Sequence, residues 1–211
     1  MGVKERRERE KSEIRERILD AARELFLAEG YEGVSMRKVA ERIEYSPTTI
    51  YLYFADKDEL FRELCNADFA ALADQLNLLA QHPDPIERLR QTGLAYIRFG
   101  KQYPNHYKLM FMTPHPPVEP DAMDEGVKGN PEKDAYALLR VLVQQAIDAG
   151  VFRDEYRDPE LISQTLWAAT HGVISLEIAK GNDRWVDWVS LESRAQTMTD
   201  VTLRGLQKER K

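Results

Sequence analysis

Cysteine is nearly missing from this chain: Cys65 is the only one in 211 residues, so no disulfide can form within it and packing has to hold the fold. Long apolar runs are missing as well. The best stretch, Leu161 to Ala179, is interrupted by Gln164, His171 and Glu177, and nothing reaches the roughly 18 apolar residues of a bilayer span. The chain starts Met-Gly-Val and then runs into charges, with no apolar signal core, so a soluble cytoplasmic protein without a membrane partner is expected. Alternating β-branched runs are scarce, which argues against a sheet. The patterns of catalysis are absent too. His82, His106, His115 and His171 make no His-x-x-x-His pair, and there is no Cys-x-x-Cys, no Gly-x-Ser-x-Gly elbow and no phosphate loop. An unrecognised helical enzyme is therefore the weaker reading, and neither a cofactor nor a metal is expected.

What is present is 43% hydrophobic and 31% charged residues, rich in Ala, Leu, Glu and Arg, the composition of an all-α globular protein. The net charge of −6 excludes a protein coated in cations, yet residues 33–57 carry Arg37, Lys38, Arg42 and Lys57 against Glu41, Glu44 and Asp56, a local net of +1. That stretch is permissive for a polyanion.

Nine helices are predicted, with no internal repeat. Residues 4–11 are all charged, with nothing apolar to hold them to a core, and residues 1–12 read as a flexible charged tail, an arm touching DNA being the other reading. Ser12 then caps helix 1, whose Ile14, Ile18, Ala21, Ala22 and Leu25 recur at helical spacing up to Gly30. Ser35 caps a short helix 2 with Met36, Val39, Ala40 and Ile43 inward. After Glu44 and Tyr45, Ser46 caps helix 3, with Pro47 in the first helical position, where its fixed φ fits and its missing N–H costs nothing. Asp56 opens helix 4, with Leu60, Leu64, Ala67, Ala71 and Leu78 along it, ending near His82-Pro83. Asp84-Pro85 starts helix 5, and a short helix 6 follows Tyr103-Pro104. Thr113 to Gly129, with four prolines and two glycines, is a loop. Asn130-Pro131 opens helix 7, Asp158-Pro159 opens helix 8, and helix 9 runs from about Arg184 to Gln207.

Two short helices joined by a tight turn can set the second into the major groove. The stretch Gly30 to Leu60, containing Gly-Tyr-Glu-Gly-Val-Ser-Met-Arg-Lys-Val-Ala, Ser-Pro-Thr-Thr-Ile-Tyr-Leu-Tyr-Phe and Asp-Lys-Asp-Glu-Leu, resembles the DNA-binding domain of the tetracycline-repressor (TetR) family, with Tyr51, Phe54 and Lys57 on its Tyr-x-x-Phe-x-x-Lys pattern. The resemblance covers residues 13–64. It implies a helix-turn-helix domain over 13–60, followed by an effector-binding and dimerisation domain over 61–211. It also implies Pro47, Thr48 and Leu52 against base edges with Arg37 beside them, and Ser35, Thr49, Tyr51, Tyr53 and Lys57 facing phosphates. Each has suitable chemistry, although Tyr51 and Tyr53 read equally as packing residues and Lys57 as a solvated charge. Glu44 departs from the pattern, since it stands where the family commonly has glycine in the turn.

Leu166 to Gly172 resembles the Trp-His-Gly signature of one C-terminal subfamily. Trp167 and His171, four apart, share a helix face and are expected to line an effector site with Tyr96, Phe99, Tyr103, Tyr107 and Met110, unless these are simply core. The function implied is a ligand-responsive repressor that binds a palindromic operator as a homodimer through helices 8 and 9 and is released by a small, largely apolar molecule. A regulator without an effector and a helix-turn-helix adaptor for proteins stand beside it.

Overall fold

The computed structural model describes residues 2–114 and 126–208. Among them the chain forms nine helices: α1 (Val3–Gly33), α2 (Met36–Arg42), α3 (Pro47–Tyr51), α4 (Lys57–Leu79), α5 (Pro85–Gln102), α6 (Pro104–Phe111), α7 (Ala135–Asp148), α8 (Pro159–Lys180) and α9 (Leu191–Leu206). No strand occurs among the described residues; a single antiparallel bridge joins Phe152 and Gln207. The expected loop after Thr113 lies mostly outside the described residues.

Two compact units result. Of the described residues, the first holds 2–68 together with 105–114, and the second 69–104 and 126–208. The boundary therefore falls inside α4, eight residues past the sequence expectation, and α6 joins the N-terminal unit instead of the C-terminal one. The reason is burial: Leu60, Phe61 and Leu64 of α4 and Leu109 of α6 belong to the same apolar core as Ile18, Phe26, Val39, Ile50 and Phe54. The inward face of α4 also differs from expectation. Leu60, Leu64, Asp68, Leu72 and Leu76 are buried, while Ala67, Ala71 and Leu78 are exposed.

The segment read as a tail is helical. Residues 4–11 continue α1 because Glu, Arg and Lys are good helix formers and nucleation is already met by the packed part of the same helix. Arg6 pairs with Glu10 at 3.3 Å and Arg9 with Glu13 at 3.6 Å, each one turn apart. Glu5 accepts a hydrogen bond at 2.9 Å from the Gly2 N–H and closes the first turn. Gly30 interrupts α1 as expected, with φ 73° where helical geometry would need about −63°.

Caps fix most other boundaries. Asp84 and Asp158 each accept two backbone N–H bonds ahead of a proline, at the starts of α5 and α8. α7 begins later than Asn130-Pro131, because Asp134 is the residue that caps Tyr136 and Ala137 while residues 130–133 form turns. α9 likewise begins at Leu191, capped by Ser190, and not near Arg184. In the second unit α5 lies against α7, α8 and α9, burying Leu89, Ile97, Phe99, Leu142, Ile174 and Leu203.

Candidate nucleic-acid interface

In the first unit, α2 and α3 form a helix-turn-helix whose geometry follows from three local choices. The Ser35 hydroxyl accepts from the Lys38 N–H at 3.3 Å and starts α2. The Ser46 hydroxyl accepts from the Thr49 N–H at 3.2 Å and, with Pro47, starts α3. Between them, the Tyr45 N–H reaches the Ala40 carbonyl at 3.0 Å and the Glu44 N–H reaches Glu41 at 3.3 Å, the paired bonds of a Schellman turn. Such a turn needs a left-handed residue, and Glu44 occupies it at φ 62°. Its Cβ is strained there, so Glu44→Gly is expected to raise the unfolding free energy by about 0.5–1 kcal/mol after the extra backbone entropy of glycine is subtracted. Urea unfolding checks it, with Glu44→Ala as the variant that keeps the strain and gains nothing.

α3 is held from within by Ile50 and Phe54, 0% and 2% exposed, so its opposite face turns outward. That face carries Pro47, Thr48, Tyr51 and Leu52, all exposed, with Leu52 75% exposed and Tyr51 54%. Arg37 projects from α2, exposed and paired with Glu41 at 2.8 Å. Ser35 is exposed and Thr49 half-buried, its hydroxyl 3.0 Å from that of Ser46. Tyr53 is half-buried against the core.

Lys57 is the most constrained of the set. Its ammonium donates to the Tyr31 carbonyl at 3.1 Å and sits 4.1 Å above the Tyr31 ring, with Glu32 at 3.9 Å. The ring is fixed in turn by stacking on Phe26, by an edge contact with Phe61 and by its hydroxyl, which donates to Asp58. Burial and the Asp58 carboxylate push the Tyr31 phenol well above its ordinary range, so it stays a neutral donor. Sequence reasoning did not single out this brace; the only signal was the Gly30-Tyr31 pair at the end of helix 1. Lys38, exposed, donates to Glu29 at 2.5 Å and to the Gly33 carbonyl at 2.8 Å.

A second group lies in the other unit. Trp167 of α8 donates its indole N–H to the Tyr96 hydroxyl of α5 at 3.0 Å, and His171 Nδ1 lies 3.4 Å from the same oxygen. Tyr136 of α7, absent from the sequence expectation, packs its ring 5.8 Å from Trp167 and donates its hydroxyl to Glu160. Burial pulls His171 below the usual imidazole range and favours its neutral form. Phe99 is buried beside Tyr103, ring centres 5.3 Å apart. Tyr107 and Met110 are buried on α6, in the first unit.

The arrangement can be set against known proteins. Residues 18–64 match the family model of bacterial regulatory proteins of the tetR family, and residues 89–200 match the C-terminal domain of tetracyclin repressor-like proteins, together most of the chain. The chain belongs to the TetR family. This TetR protein is similar to the transcriptional repressor AcnR of Corynebacterium diphtheriae, 38% identical over 60 residues, 28% of this chain and 32% of AcnR. It is also similar to the transcriptional regulator TcmR of Streptomyces glaucescens, 39% identical over 98 residues, 45% of this chain and 43% of TcmR. The chain thus spans about a third to two fifths of the length of these curated relatives. The fold extends further. A TetR family regulator from Marinobacter aquaeolei superposes with a TM-score of 0.74 at 18% identity, over 96% of this chain and 100% of the other. The fatty acid degradation regulator FadR from Bacillus halodurans superposes with a TM-score of 0.70 at 18% identity, over 90% and 94%.

Among the described residues no helix is long and apolar enough to cross a membrane.

Proposed function

We propose that this TetR protein is a DNA-binding transcriptional regulator, a repressor that acts as a homodimer on a palindromic operator. The observation that carries the reading is the outward face of α3. Leu52 and Tyr51 are large, apolar and exposed beside Thr48, on a helix pinned from behind by Ile50 and Phe54. Leu52, three-quarters exposed at this place in the helix-turn-helix, can meet a thymine methyl, and the hydroxyls around it suit phosphate oxygens. The names of AcnR and TcmR, a transcriptional repressor and a transcriptional regulator, support the same reading.

Dimerisation through α8 and α9 is supported by apolar residues left outward on both: Leu161 and Leu176 on α8 and Val201 on α9 are each more than half exposed. A groove of about 490 Å³ runs along α9 past Val189, Met198 and Val201. Two copies related by a two-fold axis would cover these faces in a four-helix bundle. The effector we propose is small, uncharged and largely apolar, held in the second unit near Tyr96, Trp167 and the neutral His171, with the C-terminal domain of the Trp-His-Gly type. Release from DNA requires that it bind the DNA-incompetent conformation more tightly.

Selection of bound duplexes from a random pool, with the full chain, tests the core of this reading. The enriched sequences are expected to be inverted repeats with half-site centres about one helical turn apart or somewhat more. Enriched duplexes without inverted symmetry, or a monomer by light scattering at working concentration, would exclude the dimeric architecture. Compounds that raise the melting temperature are then added to the bound operator, where loss of the complex reads out release.

A further inference from the structure

We propose that the first three turns of α1 are a helical arm that lies on the DNA backbone, with Lys4, Arg7 and Lys11 as its phosphate contacts; this rests on the DNA-binding reading above. The evidence is helical phase. Lys4, Arg7, Lys11, Ile14, Ile18, Ala21 and Leu25 follow one another at alternating steps of three and four, so the row that is cationic at the start of α1 becomes the face buried in the core. At about 100° per residue, all three cations lie within about 40° of the direction of the buried Ile18. Arg6 and Arg9 point about 120° and 180° away from it.

The ion pairs divide in the same way. Arg6 and Arg9 are matched by Glu10 and Glu13, and Arg15 by Glu63 at 2.5 Å. No ion pair closes on Lys4, Arg7 or Lys11 among the described residues. Every residue from 4 to 13 is exposed, so this basic row faces neither core nor carboxylate.

The arm also starts beside the proposed recognition surface. Arg17 donates to the Ile43 carbonyl at 3.4 Å and lies over the Tyr45 ring at 5.3 Å, both in the turn that leads into α3. Arg15 lies over Phe54 at 5.4 Å, just past the end of α3. From there α1 extends past that end of the unit by about 16 Å to Lys4, and the three cations span about 10 Å along it. With one phosphate per roughly 3.4 Å of axis on each strand, that row matches about three phosphates. Duplex DNA fits better than a lipid surface, because residues 4–11 offer no apolar side chain to enter a bilayer.

The experiment compares two charge-matched variants of the full chain on the selected duplex across a salt series. Arg7→Gln with Lys11→Gln is expected to lower the slope of log K against log salt by about two per protomer, while Arg6→Gln with Arg9→Gln lowers it by less than half as much. Circular dichroism confirms that each variant keeps its helix. Equal slopes for the two variants would overturn the arm while leaving the DNA-binding reading standing. A full chain with no salt-dependent duplex binding would overturn both. Binding to anionic phosphatidylserine vesicles that only Arg7→Gln with Lys11→Gln abolishes, with the duplex slope unchanged, would assign the row to a membrane surface and overturn the arm as well.

Discussion

Asp68→Ala is expected to cost about 3–5 kcal/mol of unfolding free energy. Asp68 is 2% exposed and accepts from Arg23 at 2.8 Å and 3.3 Å, while His106 Nδ1 lies 2.8 Å from the same carboxylate. Three helices of the first unit therefore meet on one carboxyl group: α1 through Arg23, α4 through Asp68 and α6 through His106. Removing it strands the guanidinium, itself buried, with only the largely exposed Asp20 as carboxylate partner at 2.7 Å. An unpaired buried cation is far costlier than the pair is favourable, so the cost lies in what is left behind. Arg23→Met combined with Asp68→Leu removes both charges and is expected to restore most of the stability. Urea unfolding of the three proteins decides the matter. A loss under about 1 kcal/mol for Asp68→Ala would mean that water reaches Arg23 and the pair is not a buried one.

That carboxylate also explains where the sequence could and could not be read. The series Leu60, Leu64, Asp68, Leu72 has one residue in apolar register that is not apolar, and so the inward face of α4 is misread through Ala67, Ala71 and Leu78. Alanine is compatible with either face, and nothing local tells a reader that Asp68 has Arg23 waiting 45 residues earlier. The helix-turn-helix is legible because its signals are local: Ser35, Ser46 and Pro47 act on backbone groups within three residues, and Ile50 and Phe54 bury themselves through the same short stretch. Glu44 was legible as an anomaly, and its left-handed φ gives the physical reason. Residues 4–11 read as a tail because nothing in them packs on a core, yet the helix is continued into them from the packed residues that follow. The cluster of Tyr96, Trp167 and His171 was partly legible, since the spacing of Trp167 and His171 fixes a shared face. Tyr136, by contrast, reaches them only through the packing of α7 on α8, which has no signature in one sequence. Tyr107 and Met110 read as companions of Tyr103 because they follow it closely in the chain; both are buried on α6, in the first unit.

Arg37→Ala and Lys57→Ala are expected to damage operator binding in different ways, and the difference follows from how each cation is held. Arg37 is 80% exposed, and its pair with Glu41 is an exposed contact one helical turn apart, worth only about 0.3–0.5 kcal/mol. A guanine offers two acceptors that match the guanidinium fork, and the exchange is therefore favourable at one base pair. Its removal should relax preference at that position by about 1–3 kcal/mol and leave the remaining positions of the selected site unchanged. Lys57 is 23% exposed and is aimed by the Tyr31 carbonyl and ring, so it presents its remaining donor in one direction, suited to a phosphate and indifferent to sequence. Lys57→Ala should weaken every duplex alike and reduce the salt slope by about one per protomer. The measurement is a titration of wild type and both variants against the selected operator, single-base-pair variants of it and a scrambled duplex, at several salt concentrations. If Arg37→Ala weakens all duplexes equally, Arg37 is a backbone contact and the base-reading role passes to Thr48 and Leu52. If the slope is unchanged in Lys57→Ala, the brace on Tyr31 is purely structural and Lys57 never reaches the DNA.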